Sequence, residues 1–361
     1  MSEGDLPEAD RIVGAPHPRH APTLIGHAAQ TDTFLEATRS GRLHHGWLVT
    51  GPRGTGKATL VWTLTRWLLA GNPGADLASA VHSPVGRRVA ALSEPRLCLI
   101  RRPVDEKTGR LRTEITVEEI RRLQSFFHMS AAEGGKRVAI IDSADEMNTS
   151  AANALLKVLE EPPEDSVIFL ISHQPGRLLP TIRSRCRELR LHPLDGAQIG
   201  QILSDLDVQG DPQRLSALSG GSAGEALRLS GQDGLAVYQK IVDLFARGAN
   251  MDRRAASAIA DLAAGRAGAD GDPFDLVVTL LDRFLSRAAI TGLHGAPLPA
   301  AAENEGDVLL RLSPDDLSAR KWAAAQAELS ARARAGRSVN LDPSALVLDT
   351  LIGLANRPDT P

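Results

Sequence analysis

The stretch GPRGTGK at residues 51–57 constrains this chain more than any other feature. It follows a short apolar run, GWLVT at residues 46–50, and precedes helical spacing of Leu60, Val61, Leu64, Leu68 and Leu69, so a strand feeds a glycine-rich loop that opens a helix. In that context the GxxxxGK pattern has a mechanical meaning. Gly51, Gly54 and Gly56 let backbone N–H groups curl around a phosphate, with Thr55 among them. The helix N-terminus adds its partial positive charge, and Lys57 reaches the outer phosphates. The next position departs from the pattern: Ala58 stands where a Ser or Thr hydroxyl normally holds magnesium, and Thr59 is one residue too late and faces another direction on a helix.

Two further apolar runs, residues 138–141 and 167–171, end in Asp142 and Ser172. Asp142 sits where a carboxylate would reach a metal-bound water, but the glutamate that would polarise an attacking water is replaced by Ser143. Asp145 and Glu146 follow two and three residues too late in the turn. A strand-end turn aspartate is the alternative reading of Asp142 taken by itself. Between the runs Ala151, Ala154, Leu155, Val158 and Leu159 mark one helix face, capped by Asn148 or Thr149 and stopped by Pro162 and Pro163. Glu160 and Glu161 close that helix and read as structural.

Alternation of this kind predicts a parallel α/β sheet covered on both faces. Further elements are a helix within residues 25–43, a strand at 96–100 and a helix at 117–127, with a turn at 106–110. Residues 71–95 read as small and polar. Beyond Pro193 the strand signals stop and helical patches recur at 199–206, 212–218, 224–229, 235–245, 255–264, 274–289, 309–335 and 343–354. The fold class is therefore α/β followed by all-α. At 361 residues the chain has room for two to three domains of roughly 150 residues each. Residues 1–22, with Pro16, Pro18 and Pro22, read as a loose leader.

Composition excludes several functions. With 41 basic against 44 acidic residues the net charge is -3, so the chain is no general polycationic coat for nucleic acid. Seven Phe, four Trp and one Tyr are too few for a base-stacking platform. Arg87, Arg88, Arg96, Arg101, Arg102, Lys107, Arg110 and Arg112 outnumber Glu94, Asp105 and Glu106 locally, which reads as a solvated basic surface or as a contact for DNA phosphates. Cys98 and Cys186 are the only cysteines and form no CxxC pair, and His44 and His45 lack a third ligand nearby, so no metal site is expected. Two thiols, no apolar run near 18 residues and no signal-peptide core predict a soluble protein of the reducing cytoplasm, with no membrane partner.

AANALLKVLEEPP at residues 151–163 and SRC at 184–186 resemble the clamp-loader branch of the AAA+ ATPases. GRLHHGWLVTGPRGTGKA at 41–58 and PGRLLPTIRSRCRELRLHPL at 175–194 extend the likeness, which is good over residues 22–230 and weak beyond. The resemblance implies a RecA-like P-loop core (23–192), a small helical lid (193–232) and a helical collar for oligomerisation (233–361). It also implies a five-membered hetero-oligomeric ring with other clamp-loader subunits, one that places a sliding clamp on primer–template DNA for a replicative DNA polymerase. Carried onto this sequence, Arg185 of SRC is an arginine finger that acts in trans on a neighbour's ATP, and Ser172 takes the first sensor position. A fork of guanidinium N–H groups neutralising charge on a transferred phosphoryl group is worth about 10³ to 10⁵ in rate.

Two features of the family are missing. Residues 71–100 lack the four-cysteine zinc module, and Gly221, Ser222 and Ala223 are followed by Gly224 where active subunits carry a sensor arginine. With Ala58 and Ser143, three parts of a hydrolytic site are absent. The expectation is a subunit that holds ATP or ADP weakly or structurally, through Gly51, Gly54, Thr55, Gly56, Lys57, Ala58, Thr59, Asp142 and Ser172, without hydrolysing it. Its contribution to a DNA-directed DNA polymerase assembly would be Arg185. The competing reading is a self-sufficient P-loop ATPase motor, an active clamp-loader subunit or a DNA helicase. A nucleotide kinase fits less well, since no second substrate pocket declares itself.

Overall fold

The computed structural model of the chain describes residues 8–11, 15–71, 77–105, 107–128, 134–247, 251–266, 268, 271–339 and 341–355. It divides into two compact units, Met1–Ile12 with Pro16–Pro193, and Val13–Ala15 with Leu194–Pro361.

The first unit is a five-stranded sheet with helices on both faces. Its strands are β1 (Gly46–Thr50), β2 (Leu97–Arg101), β3 (Arg137–Asp142), β4 (Ser166–Ser172) and β5 (Arg187–Arg190). They lie in the order β2-β3-β4-β1-β5, and every pairing is parallel. Side chains on a strand alternate between faces, and the core divides accordingly. Trp47, Val49, Phe169 and Ile171 pack with Phe34 of α1 (Ala28–Arg39) and Leu60 and Leu64 of α2 (Lys57–Leu69). Leu48, Ile168 and Leu170 pack with Ile120 and Leu123 of α4 (Val117–His128) and Leu155 and Leu159 of α5 (Thr149–Glu160). Burial on both faces is why β1, β3 and β4 read as unbroken apolar runs.

Three sequence readings need correction. Residues 71–95 are not featureless: Ser83 caps a helix, α3 (Pro84–Ala90), accepting from the Gly86 N–H at 2.9 Å. Residues 72–76 lie outside the described set. A short helix, α6 (Pro180–Ser184), and β5 are further elements beyond the sequence expectation; β5 is an edge strand with only Leu189 buried, so Arg187, Glu188 and Arg190 hide its period. The N-terminal stretch is not loose where it is described, at 8–11 and 15–22. Buried Arg66 on α2 donates to the carbonyls of Arg19 (2.7 Å) and Ala21 (2.9 Å), and buried His17 pairs with Asp10 at 3.1 Å. Residues 1–7 and 12–14 of that leader lie outside the described residues.

The second unit is built from helices joined by loops among its described residues: α7 (Gly196–Asp205), α8 (Pro212–Ser219), α9 (Ala223–Gly231), α10 (Gly234–Ala246), α11 (Arg253–Leu262), α12 (Pro273–His294), α13 (Glu305–Leu312), α14 (Asp316–Ser338) and α15 (Pro343–Ala355), with one isolated bridge between Gly268 and Gly271. α12 is its central rod, burying Val277, Leu280, Phe284 and Leu285, with Phe284 stacked on Phe245 of α10 at 4.7 Å. The patch at 309–335 is two helices. Pro314 cannot continue α13, and Asp315 caps α14 by accepting from the Ser318 N–H at 2.8 Å. At the head of α13, buried Glu305 accepts from Tyr238 Oη (2.6 Å), Arg287 Nε (2.6 Å) and Nη2 (2.9 Å), and the Ala301 N–H (2.6 Å).

Candidate nucleotide site and distal arginine

The strand registers bring the predicted site residues together. Thr50 pairs with Ser172 and Asp142 with Ile171, so the loop after β1, the end of β4 and the end of β3 share the carboxyl edge of the sheet. Ligands of parallel α/β sheets bind at this edge.

The loop at 51–57 is held by its own atoms. Gly51, Gly54 and Gly56 have φ of 143°, 72° and 92°, conformations that side chains resist. At Gly51 a Cβ would stand 2.6 Å from the Leu191 carbonyl oxygen, so the loop needs glycine there for close approach as well. Thr55 is buried and its hydroxyl donates to the Pro52 carbonyl at 2.9 Å, inside the loop. His27, at the start of α1, places Nε2 2.7 Å from the Thr55 carbonyl. Among the described residues no side chain caps α2, so its first-turn N–H groups keep their capacity for an anion.

Lys57 is buried and donates through Nζ to the Gly51 carbonyl (2.8 Å) and the Pro52 carbonyl. Burial brings its ammonium down to about 8, partly opposed by Asp142 and Asp145. Ala58 is half-buried and packs against the core on this face of the sheet, and Thr59 is the next residue round α2. Arg53 points outward and meets Glu146 at 3.4 Å.

At the end of β3, burial pushes the Asp142 carboxyl up to about 7, helped by Asp10. Ser143 Oγ donates to Asp142 Oδ1 at 3.1 Å and lies 2.9 Å from His173 Nε2. Burial holds His173 down at about 4, with Lys57 and Arg53 adding to the effect, so its ring is neutral at neutral pH. Asp145 accepts from the His173 N–H (2.9 Å), and Glu146 pairs with Arg102 (2.7 Å) as well as Arg53. Both late acids are thus engaged in holding the edge of the site. Ser172 Oγ is fully buried and makes no hydrogen bond to the described residues.

His27 and His173 were missed from sequence. His27 acts across 28 positions, which no local spacing encodes; His173 directly follows the Ser172 already singled out and was open to inspection.

Arg185 is elsewhere. It follows α6, two residues before Arg187, which pairs with Trp47 near the start of β1. Gly51 follows the end of β1, four residues beyond Trp47 or about 13 Å at the usual strand rise, and Arg185 precedes Arg187 in the opposite direction. Arg185 donates from Nη1 to the Thr181 carbonyl (3.0 Å) and pairs through Nη2 with Glu160 Oε1 (2.8 Å).

The weaker signals resolve into internal contacts. In the basic stretch, Arg88 and Arg96 both pair with buried Glu94 (2.8 and 2.7 Å), Arg101 with Asp10, Arg102 with Glu146, and Arg112 with Asp105 (3.4 Å). Glu106 of that stretch lies outside the described residues. His44 and His45 stack at 4.3 Å and bond to backbone at Gly46 and Leu159. Among the described residues no group of three or more candidate ligands could hold a metal ion, and no helix is long and apolar enough to cross a membrane. Gly224, at the start of α9, is buried behind the cap formed by Ser222.

Residues 26–195 match the family described as DNA polymerase III, delta subunit. DNA polymerase III subunit delta' of Pseudomonas aeruginosa is 39% identical over 193 residues, 52% of this chain and 56% of the relative. The Bacillus subtilis subunit delta' is 34% identical over 205 residues, 56% and 59%. The aligned stretch thus spans little more than half of each relative. A DNA polymerase III gamma subunit-related protein of Thermotoga maritima superposes with a TM-score of 0.44 at 16% identity, covering 91% of this chain and 99% of the other. Over residues 26–195 the chain is similar to DNA polymerase III delta and delta-prime subunits, as AANALLKVLEEPP and SRC led us to expect.

Proposed function

We propose that this chain is a cytoplasmic clamp-loader subunit that does not hydrolyse ATP itself and supplies Arg185 in trans to a neighbour's nucleotide. In this reading it sits in a five-membered ring with other DNA polymerase III subunits, the ring loads a sliding clamp onto primer–template DNA, α7–α9 form a lid and α10–α15 a collar. The observation that carries the proposal is the separation of Arg185 from Lys57 by the length of the sheet. An arginine at the amino edge cannot serve a phosphate at the carboxyl edge of its own sheet, but it can serve a phosphate held by an adjacent copy of the same architecture.

The loop's residues fit a nucleoside di- or triphosphate. Gly51, Gly54 and Gly56 give the backbone curl, α2 presents uncapped N–H groups, and Lys57 is a buried cation whose bonds to two carbonyls can be exchanged for phosphate oxygens. Bound there, ATP would supply binding energy for assembly. The parts for hydrolysis are deficient: Ala58 offers no ligand for magnesium, Ser143 is engaged with Asp142 and His173, and Gly224 brings no arginine.

The test is Arg185→Ala in an assembly reconstituted from this chain, its DNA polymerase III partners, clamp and primed DNA. ATP turnover of the assembly should drop at least tenfold while the chain still assembles. Turnover at the wild-type rate would contradict the proposal.

A further inference from the structure

The carboxylate at the end of α5 stands against local helix energetics. A helix C-terminus carries partial negative charge, so an acid in the last turn is disfavoured, yet Glu160 is the final residue of α5 and Glu161 caps it. What compensates Glu160 is Arg185, 25 positions away, with Nη2 and Oε1 2.8 Å apart. Both side chains are partly exposed, at 36% for Arg185 and 47% for Glu160. A surface pair of that kind contributes little to stability, which leaves its geometry to be explained.

The backbone around Glu160 is fixed from several sides. Leu155, Val158 and Leu159 are buried under the sheet, and His45 Nε2 lies 3.0 Å from the Leu159 carbonyl. The Glu161 N–H donates to the Lys157 carbonyl, and Pro162 and Pro163 stiffen the exit. On the other side Arg185 is tethered to the Thr181 carbonyl of its own short helix. A guanidinium has five N–H donors. One from each terminal nitrogen is engaged here, so the group is held by two anchors from two elements with three donors left over.

We infer that Glu160 is the positioning residue for Arg185: it fixes the guanidinium before a neighbour's phosphate arrives, so that little side-chain freedom is lost when the finger engages. The inference rests on the reading of Arg185 as a finger in trans. Glu160 touches no reacting atom; it acts through the arginine.

The reconstituted assembly tests this with Glu160→Ala, Glu160→Gln and Arg185→Ala, singly and with the two alanine changes combined. Glu160→Ala should lower kcat about three- to tenfold and leave the KM for ATP within about twofold, because the finger is displaced and the nucleotide pocket of the neighbour is not. Glu160→Gln keeps an acceptor oxygen at the same reach and should restore kcat to within about twofold of wild type. In the Arg185→Ala background, Glu160→Ala should have no further effect, as expected of residues acting as a unit. Wild-type kcat in Glu160→Ala, a rise in kcat, or an equal loss in the Arg185→Ala background would each overturn the inference, the last by showing a general role at the end of α5. Should Glu160→Ala not fold, Glu160→Asp, shorter by one methylene, replaces it with the same expectations at smaller size. If Arg185→Ala itself leaves turnover unchanged, the finger reading fails and this inference falls with it; if Arg185→Ala lowers turnover and Glu160→Ala does not, only the inference fails.

Discussion

Lys57 and Arg185 occupy opposite ends of one parallel sheet, the lysine past the exit of β1 and the arginine before the entrance of β5. A single chain therefore carries a loop of GxxxxGK pattern and an SRC arginine that cannot meet within it. Two such chains side by side can bring them together. Arg185→Ala removes an exposed ion pair, so thermal unfolding of the isolated chain should shift by no more than about 1 kcal/mol in stability. A larger loss in calorimetry would mean the arginine is structural.

Nucleotide binding by the isolated chain should weaken with rising pH. Burial lowers Lys57 to about 8, and only its charged form attracts phosphate. Affinity should be highest below pH 8 and fall above it as the free protein loses the proton. Titration with a fluorescent ATP analogue between pH 7 and 9.5 measures this, and Lys57→Ala should bind at least tenfold more weakly with that dependence removed. A pH-independent affinity in the wild type would show that Lys57 is not the phosphate contact.

Gly51→Ala should damage the loop rather than the sheet. The added Cβ would lie 2.6 Å from the Leu191 carbonyl oxygen, at a φ of 143° that alanine resists. A destabilisation of about 1–3 kcal/mol by denaturant unfolding is expected, with nucleotide affinity reduced at least as strongly as in Lys57→Ala.

Much of this was legible in the sequence, for physical reasons. β1, β3 and β4 are buried on both faces, so their apolar runs announce them, and Asn148 caps α5 through the Ala151 N–H at 3.0 Å as its residue type suggested. β5 was not legible because three of its four residues face solvent, and α3 because it is only seven residues long, with a glycine and two arginines among them. The break at Pro314 is marked in the sequence by a proline that a helix interior does not accommodate. In the site, Gly51, Lys57, Asp142 and Ser172 were readable from spacing, whereas His27 on the Thr55 carbonyl and Glu160 on Arg185 depend on contacts between distant segments. Thr55 lies in the loop as its place in the pattern suggested, with its hydroxyl on the Pro52 carbonyl.

The helical unit carries its own test. Burial opposes the charge of Glu305, but hydrogen bonds from Arg287 and Tyr238 outweigh it and hold the carboxyl below its ordinary value. A folded-state value below the unfolded one means the stabilisation is present above about pH 4.5 and is lost as pH falls through the folded value. Glu305→Ala leaves Arg287 buried without its partner and should destabilise by about 3–5 kcal/mol at pH 7. The gap in urea midpoint between wild type and Glu305→Ala should be narrower at pH 3.5 than at pH 6, and a gap as large or larger at the lower pH would contradict the assignment.

Steady-state ATP hydrolysis by the purified chain alone, with magnesium and primed DNA and with Lys57→Ala as control, tests the central claim most directly. Turnover indistinguishable between the two proteins is the result expected of a subunit with Ala58, Ser143 and Gly224 in place of hydrolytic parts. Hydrolysis by the wild type that Lys57→Ala abolishes would contradict the account and make the chain a motor in its own right.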